Sequence, residues 1–219
     1  MDVLDLLYAR LAMELSGTAL LAFTIYRSGH SELSGIEQSV VAGLCVALLV
    51  HILGRHSGAH LNPAVTIVFW VQNIGSQKSS LVKSIGETMA YISSQVVGSI
   101  AGICLARNGT PLHTDHRLDG FVEEIVLTII LLLLVVTWSR EGKLCAYSQP
   151  LTGIVIGGGV TFLAALGGLT SSGVFNPAIS LGLIVSGQQM SMQSMLAAQL
   201  IAVVIVSLVI RFHQRTERY

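Results

Sequence analysis

His60-Leu61-Asn62-Pro63-Ala64-Val65-Thr66 has a counterpart 114 positions later, Val174-Phe175-Asn176-Pro177-Ala178-Ile179-Ser180. Each copy reads as a helix start. The Asn side-chain oxygen can accept one of the backbone N–H groups that the first helical turn leaves unpaired, and Pro suits the first helical position because no N–H is needed there. The apolar run that follows is short. Asn62 to Val71 covers about half of a hydrocarbon core roughly 30 Å thick, at about 1.5 Å per residue. The pair therefore predicts two half-helices in a very apolar chain.

Composition sets that chain in a membrane. Of the 219 residues 52% are hydrophobic and 11% charged, and the mean hydropathy is +0.72, whereas about a quarter of a soluble domain is charged. Twelve basic residues balance twelve acidic ones, so nothing points to nucleic acid or a strongly acidic partner. Cys45, Cys104 and Cys145 have no metal or redox spacing and read as small buried hydrophobes. The chain opens Met1-Asp2-Val3-Leu4-Asp5 without the basic start of a cleavable signal, so the first apolar run is expected to be retained.

Six apolar segments are long enough to cross a bilayer: Leu6 to Tyr26, Ile36 to Leu53, Ile85 to Ala106, Phe121 to Trp138, Leu151 to Leu169 and Met192 to Phe212. Gly98, Gly102 and Gly157 to Gly159 interrupt them, and small residues there let helix backbones approach closely. With both termini in the cytoplasm, the inner side collects Arg10, Arg55, Lys78, Lys83, Arg140, Lys143, Arg211, Arg215 and Arg218, and the outer side keeps Arg27, Arg107 and Arg117. That asymmetry follows the positive-inside rule. The three C-terminal Arg are read first as topology signals and second as lipid head-group contacts. The polar stretch Asn108 to Gly120 joins the halves and is short for a linker between domains, so a single domain, 1–219, is expected. Its His113, Asp115 and His116 read as a solvated connector, and no metal or cofactor site is expected.

The halves, approximately 1–107 and 119–219, echo one another. Glu14 to Thr18 returns as Glu124 to Thr128, 110 positions on, and Gln95 returns as Gln199, 104 positions on. Each half holds three crossings, so the second sits upside down relative to the first. The half-helices then enter from opposite faces and meet near the midplane, as in inverted repeats with broken helices. The fold class expected is an all-α membrane protein, six transmembrane helices plus two re-entrant half-helices. The loops Gly54 to Leu61 and Gly167 to Phe175 are irregular backbone at membrane depth, which persists only when buried or lining a water-filled cavity. Their carbonyls would form a ladder of acceptors, and the two positive helix N-termini would face its centre with the amides of Asn62 and Asn176.

Ser57-Gly58-Ala59-His60-Leu61-Asn62-Pro63-Ala64-Val65-Thr66 closely resembles the first signature of the aquaporin, or major intrinsic protein, family, and the paired Asn-Pro-Ala extends the resemblance across the chain. The resemblance implies a homotetramer with one pore per subunit, carrying water or small uncharged solutes passively; separately, the sequence offers no nucleophile-base pair or phosphate loop, so no enzymatic activity is expected. It makes Asn62, Pro63, Ala64, Asn176, Pro177 and Ala178 the pore centre. It also implies that Glu14 and Glu124 accept N–H groups from the re-entrant loops. His60 supports its loop, by its ring or carbonyl near the pore or by a purely structural hydrogen bond. His51 and His56 read as structural histidines with satisfied hydrogen bonds.

The second signature departs from the family. Where most members carry Arg after Asn-Pro-Ala, at the outer constriction, this chain has Ile179. Counting from the two motifs puts Ala42 at the aromatic's place, Gly173 at the small residue's, and Ala164 or Thr161 at the His position. A wide, apolar constriction is expected, admitting candidates such as glycerol, urea, ammonia or hydrogen peroxide. A secondary transporter with half-helices at a midplane site is the main rival, and a poorly conducting structural relative the second. A multi-pass location in the cell membrane, with termini cytoplasmic, completes the expectation.

Overall fold

The computed structural model describes residues 3–74, 81–107, 120–138, 149–169, 173–187 and 190–216. Eight helices account for nearly all of them: α1 (Val3–Gly29), α2 (Gly35–Leu53), α3 (Pro63–Asn73), α4 (Leu81–Arg107), α5 (Phe121–Trp138), α6 (Gln149–Gly168), α7 (Pro177–Val185) and α8 (Met190–Thr216). Six of these are long and apolar enough to cross a membrane. α1, α4 and α8 run past the apolar limits read from sequence, because the backbone hydrogen-bond ladder continues into the interfacial layer where polar side chains are solvated. Positions 108–119 and 139–148, with His113, Asp115, His116, Arg117, Arg140, Lys143 and Cys145, lie outside the described residues, as do Lys78 and Arg218.

α3 and α7 are the short elements, 11 and 9 residues. At about 1.5 Å per residue they measure about 16 Å and 14 Å, which together match one hydrocarbon thickness of about 30 Å. Each starts on an Asn N-cap followed by Pro. Asn62 accepts from Ala64 N at 2.9 Å and Asn176 from Ala178 N at 3.0 Å. Both half-helices lie between α4 and α8, and their N-terminal ends meet.

The spanning helices pair through small residues. The most extensive contacts are α1 with α4 and α2 with α6. A Cβ on Gly98 or Gly102 would strike the carbonyls of Leu15 or Ala19, and one on Gly43 would lie 2.5 Å from Gly157 O. Lipid tails are as apolar as side chains, so this close van der Waals packing takes over the role that water exclusion plays in soluble cores. Apolar clusters fill the rest. Val65, Val68 and Phe69 of α3 pack on Leu127, Leu131 and Val206, and Ile179 and Leu183 of α7 pack on Ala22, Tyr26, Ile103 and Ala106. Large apolar side chains such as Leu44, Leu105, Ile154 and Leu208 point outward, as a lipid-facing surface requires.

One side-chain reading needs correction. Cys104 is exposed on α4 and Cys45 half-buried, so they are not a uniform buried set. His51 and His56 are exposed, because α2 ends at Leu53 and leaves both at its rim. The C-terminus of α8 also reaches back to α3. Arg211 donates to Ile74 O at 3.3 Å and Gln214 Nε2 to Gln72 O at 2.7 Å. These bonds satisfy carbonyls that the end of a helix leaves unpaired.

Candidate functional site

The two residues preceding the Asn caps, Leu61 and Phe175, have φ of 53° and 52°. For bulky L-residues this left-handed backbone costs roughly 1–2 kcal/mol each. What it accomplishes is to point the N–H and C=O of one residue at two different partners. Leu61 N donates to Glu14 Oε2 at 2.7 Å, and Phe175 N donates to Glu124 Oε1 at 2.7 Å. The carbonyls cross over: Asn176 Nδ2 donates to Leu61 O at 2.8 Å, and Asn62 Nδ2 to Phe175 O at 2.9 Å. A hydrogen bond to a charged group contributes about 1.5–3 kcal/mol. Each strained residue is thus offset by its carboxylate bond before the amide bond is counted.

Each carboxylate is a hub. Glu14, fully buried, accepts from Ser57 Oγ at 2.7 Å, His60 N at 3.0 Å, Leu61 N and Gln95 Nε2 at 2.8 Å. Glu124, equally buried, accepts from Gly173 N at 2.7 Å, Val174 N at 3.3 Å, Phe175 N and Gln199 Nε2 at 2.7 Å. The Gln of each set returns to its own half-helix. Gln95 Nε2 donates to Thr66 Oγ1 at 2.9 Å, and Ser180 Oγ donates to Gln199 Oε1 at 3.1 Å. A buried carboxylate is costly unless its lone pairs are filled. Four donors fill each one here.

His60 sits beside this network. Its Nδ1 is 3.2 Å from Thr66 Oγ1, and its ring lies against Phe69 and Tyr91, centroids 5.0 and 5.3 Å away. Tyr91 Oη donates to Ser57 O at 2.9 Å, which ties the loop to α4.

Between the halves runs a cavity of about 590 Å³, lined from Arg10, Arg55 and His56 at the end carrying the chain termini to Ser28, Gly35 and Gln38 at the other. Asn62 and Asn176 line its middle. Each amide has two N–H groups, and the crossing bond uses one, so the other is available to the cavity. Of the remaining residues picked from sequence, Ala42, Ala164, Gly173, Ile179 and His60 also line it. Pro63, Ala64, Pro177 and Ala178 are buried behind the caps, and Glu14 and Glu124 stand behind the loops. Thr161 does not face the cavity: its hydroxyl lies against Gly43 of α2. Ile179, only 1% exposed, touches the cavity from within the α1–α4–α7 cluster.

Several contributors had a pattern that sequence reading passed over. Thr152, Ile156, Val160, Ala164 and Gly168 recur every fourth residue along α6 and all line the cavity. Tyr91 stands one helical turn before Gln95. The stripe was legible as a period of four. The Arg211 and Gln214 contacts to α3 had no local signature, since they join residues about 140 positions apart. Among the described residues no group of metal-ligating side chains is present.

The family model described as Major intrinsic protein matches residues 9–209. Among curated proteins, Aquaporin NIP2-1 of Zea mays is 28% identical over 80% of this chain and 61% of its own length. Probable aquaporin NIP7-1 of Arabidopsis thaliana is 32% identical over 82% of this chain and 67% of its own. The chain spans about three-fifths of the length of several more such relatives. Among solved structures, the aquaglyceroporin from Plasmodium falciparum superposes with a TM-score of 0.68 at 22% identity, covering 92% of this chain and 94% of that one. That likeness is one of fold.

Proposed function

Because the chain belongs to the major intrinsic protein family, we propose that it is a passive membrane channel for water and small uncharged solutes. The observation that carries the reading is the cavity that passes between Asn62 and Asn176 and reaches residues at both ends of the molecule. At that midpoint two helix N-termini and two amide N–H groups converge as donors. A water held by both amides presents its hydrogens outward, away from the centre, so it cannot relay a proton in both directions. Glu14 and Glu124 act by fixing the loops that shape this point, and His60 braces the first loop from α3 and α4.

In this proposal Ala42, Ala164, Gly173 and Ile179 form the selectivity constriction. Their side chains offer no hydrogen-bond donor, so the section is wider and more apolar than one closed by an Arg. Glycerol, urea, ammonia and hydrogen peroxide are the candidate solutes beside water. The two inverted halves make one channel unit, embedded in the lipid bilayer as a homotetramer. The termini are cytoplasmic and the cell membrane is its location. Swelling of proteoliposomes across a graded solute series tests the reading. Fast, non-saturating flux of water and at least one larger neutral solute is expected. Saturable flux that follows a proton or sodium gradient would instead identify a transporter, and absence of all flux a structural relative.

A further inference from the structure

Between positions 211 and 216 of α8 only Arg211 and Gln214 are half-buried, whereas Phe212, His213, Arg215 and Thr216 are exposed. Residues three apart share one helix face, and this face meets the end of α3. Gln214 Nε2 donates to Gln72 O at 2.7 Å and Arg211 Nη1 to Ile74 O at 3.3 Å, with the same nitrogen 3.4 Å from Gln214 Oε1. The other half-helix ends differently. Ser186 donates to Gly182 O from both its hydroxyl and its backbone, at 2.8 and 3.1 Å, so α7 closes its own C-terminus.

The clasped end of α3 carries part of the cavity wall. Val65 and Phe69 line the cavity on the side of Asn62 that leads to the chain termini. Phe69 lies one turn before Asn73, whose Nδ2 donates to Phe69 O at 2.9 Å, and its ring rests against His60. The opposite side of α3 is filled, because Val65, Val68 and Phe69 pack on Leu127, Leu131 and Val206. Close-packed side chains leave no room to move in that direction. The cap at Asn62 fixes the N-terminal end of α3. A freed C-terminal end therefore tilts toward the cavity, and Phe69 goes with it.

We propose that Arg211 and Gln214 are positioning residues of the pore, which hold the last turn of α3 off the cavity and so set its width at Phe69. The proposal rests on the channel reading above. Neither side chain lines the cavity, so both act through α3. Pore diameter sorts solutes by size, and a narrower section obstructs a larger solute before it obstructs water.

The test uses the full chain in phosphatidylcholine vesicles, wild type beside Arg211→Ala/Gln214→Ala, Gln214→Ala and Arg211→Lys. Urea and water flux are read by light scattering on the same vesicles. Loss of both donors is expected to lower urea flux roughly fivefold and leave water flux within about twofold. Gln214→Ala alone is expected to lower urea flux roughly threefold, and it carries the test if the pair does not insert. Arg211→Lys keeps a donor for Ile74 O and is expected to match wild type. A merely structural role would lower both fluxes together, and an unchanged ratio of urea to water flux overturns the proposal. The seat of α3 is followed separately through Trp70, the remaining tryptophan once Trp138→Phe is introduced in every variant. Its indole Nε1 is buried, so without the clasp its emission is expected to shift to longer wavelength and acrylamide to quench it more steeply. Unchanged Trp70 emission also overturns the proposal. A wild type that passes neither water nor urea overturns the channel reading, and the proposal with it; normal wild-type flux with an unchanged ratio in the variants overturns the proposal alone.

Discussion

Asn62 holds the carbonyl that precedes Asn176, and Asn176 holds the carbonyl that precedes Asn62, at 2.9 and 2.8 Å. Neither half can therefore set its own cap geometry alone, since each strained residue is tethered by the other half's amide. Replacing Asn176 by Ala removes a cap acceptor and the crossing donor, which leaves the buried Leu61 carbonyl without that partner. The expected cost is about 2–4 kcal/mol, read as an earlier unfolding transition in detergent, together with lost solute flux. A loss below about 1 kcal/mol would show that the crossing bonds do not brace the site.

The carboxylate hubs give a graded pair. Glu124→Gln turns an amide N–H toward two of the four donors that Glu124 now accepts. We expect about 3–5 kcal/mol of destabilisation. Gln199→Ala removes one of the donors to Glu124 and the acceptor of Ser180 Oγ and is expected to cost about 1–3 kcal/mol. Chemical unfolding of the purified proteins checks the order, and equal effects would refute the hub description.

Ile179→Arg tests the constriction. The guanidinium finds no carboxylate among Ala22, Tyr26, Ile103 and Ala106, and burying a charge without a counter-charge is costly. It must swing into the cavity. Urea and glycerol flux should fall at least about tenfold while water flux persists, an added barrier of about 1.4 kcal/mol for the larger solutes. Unchanged solute flux would locate the narrowest section elsewhere.

Two glycines on one helix should behave oppositely. A methyl on Gly98 meets the Leu15 backbone, whereas one on Gly86 meets nothing within 4 Å. Gly98→Ala is expected to destabilise by about 1–3 kcal/mol through overpacking. Gly86→Ala should be neutral or stabilising by up to about 1 kcal/mol through helix propensity. Thermal unfolding of the two variants decides it.

Much of the architecture was legible because its determinants are local. An Asn cap followed by Pro and a short apolar run announces a half-helix by itself, and apolar length announces a crossing. The side on which a helical residue packs is not local. Thr161 and Ala164 were equally eligible from counting, and only the α2–α6 contact turns Thr161 toward Gly43. The burial of Ile179 against α1 and α4 likewise depends on where α7 is seated. The crossing amide bonds join residues more than a hundred positions apart, 113 and 115, so no window of sequence contains them.

The glycine contact between α2 and α6 also orders events in time. Gly43 accommodates the backbone of Gly157, and at a synthesis rate of about 5–20 residues per second that partner emerges roughly 6–23 s after it. For that interval the small-residue face of α2 lacks its α6 partner, whereas α4, with Gly98 and Gly102, is made before α6 and can meet α1 first. Chain order thus lets the helix pair within the first half form during translation and leaves the α2–α6 seam to close only when the second half arrives.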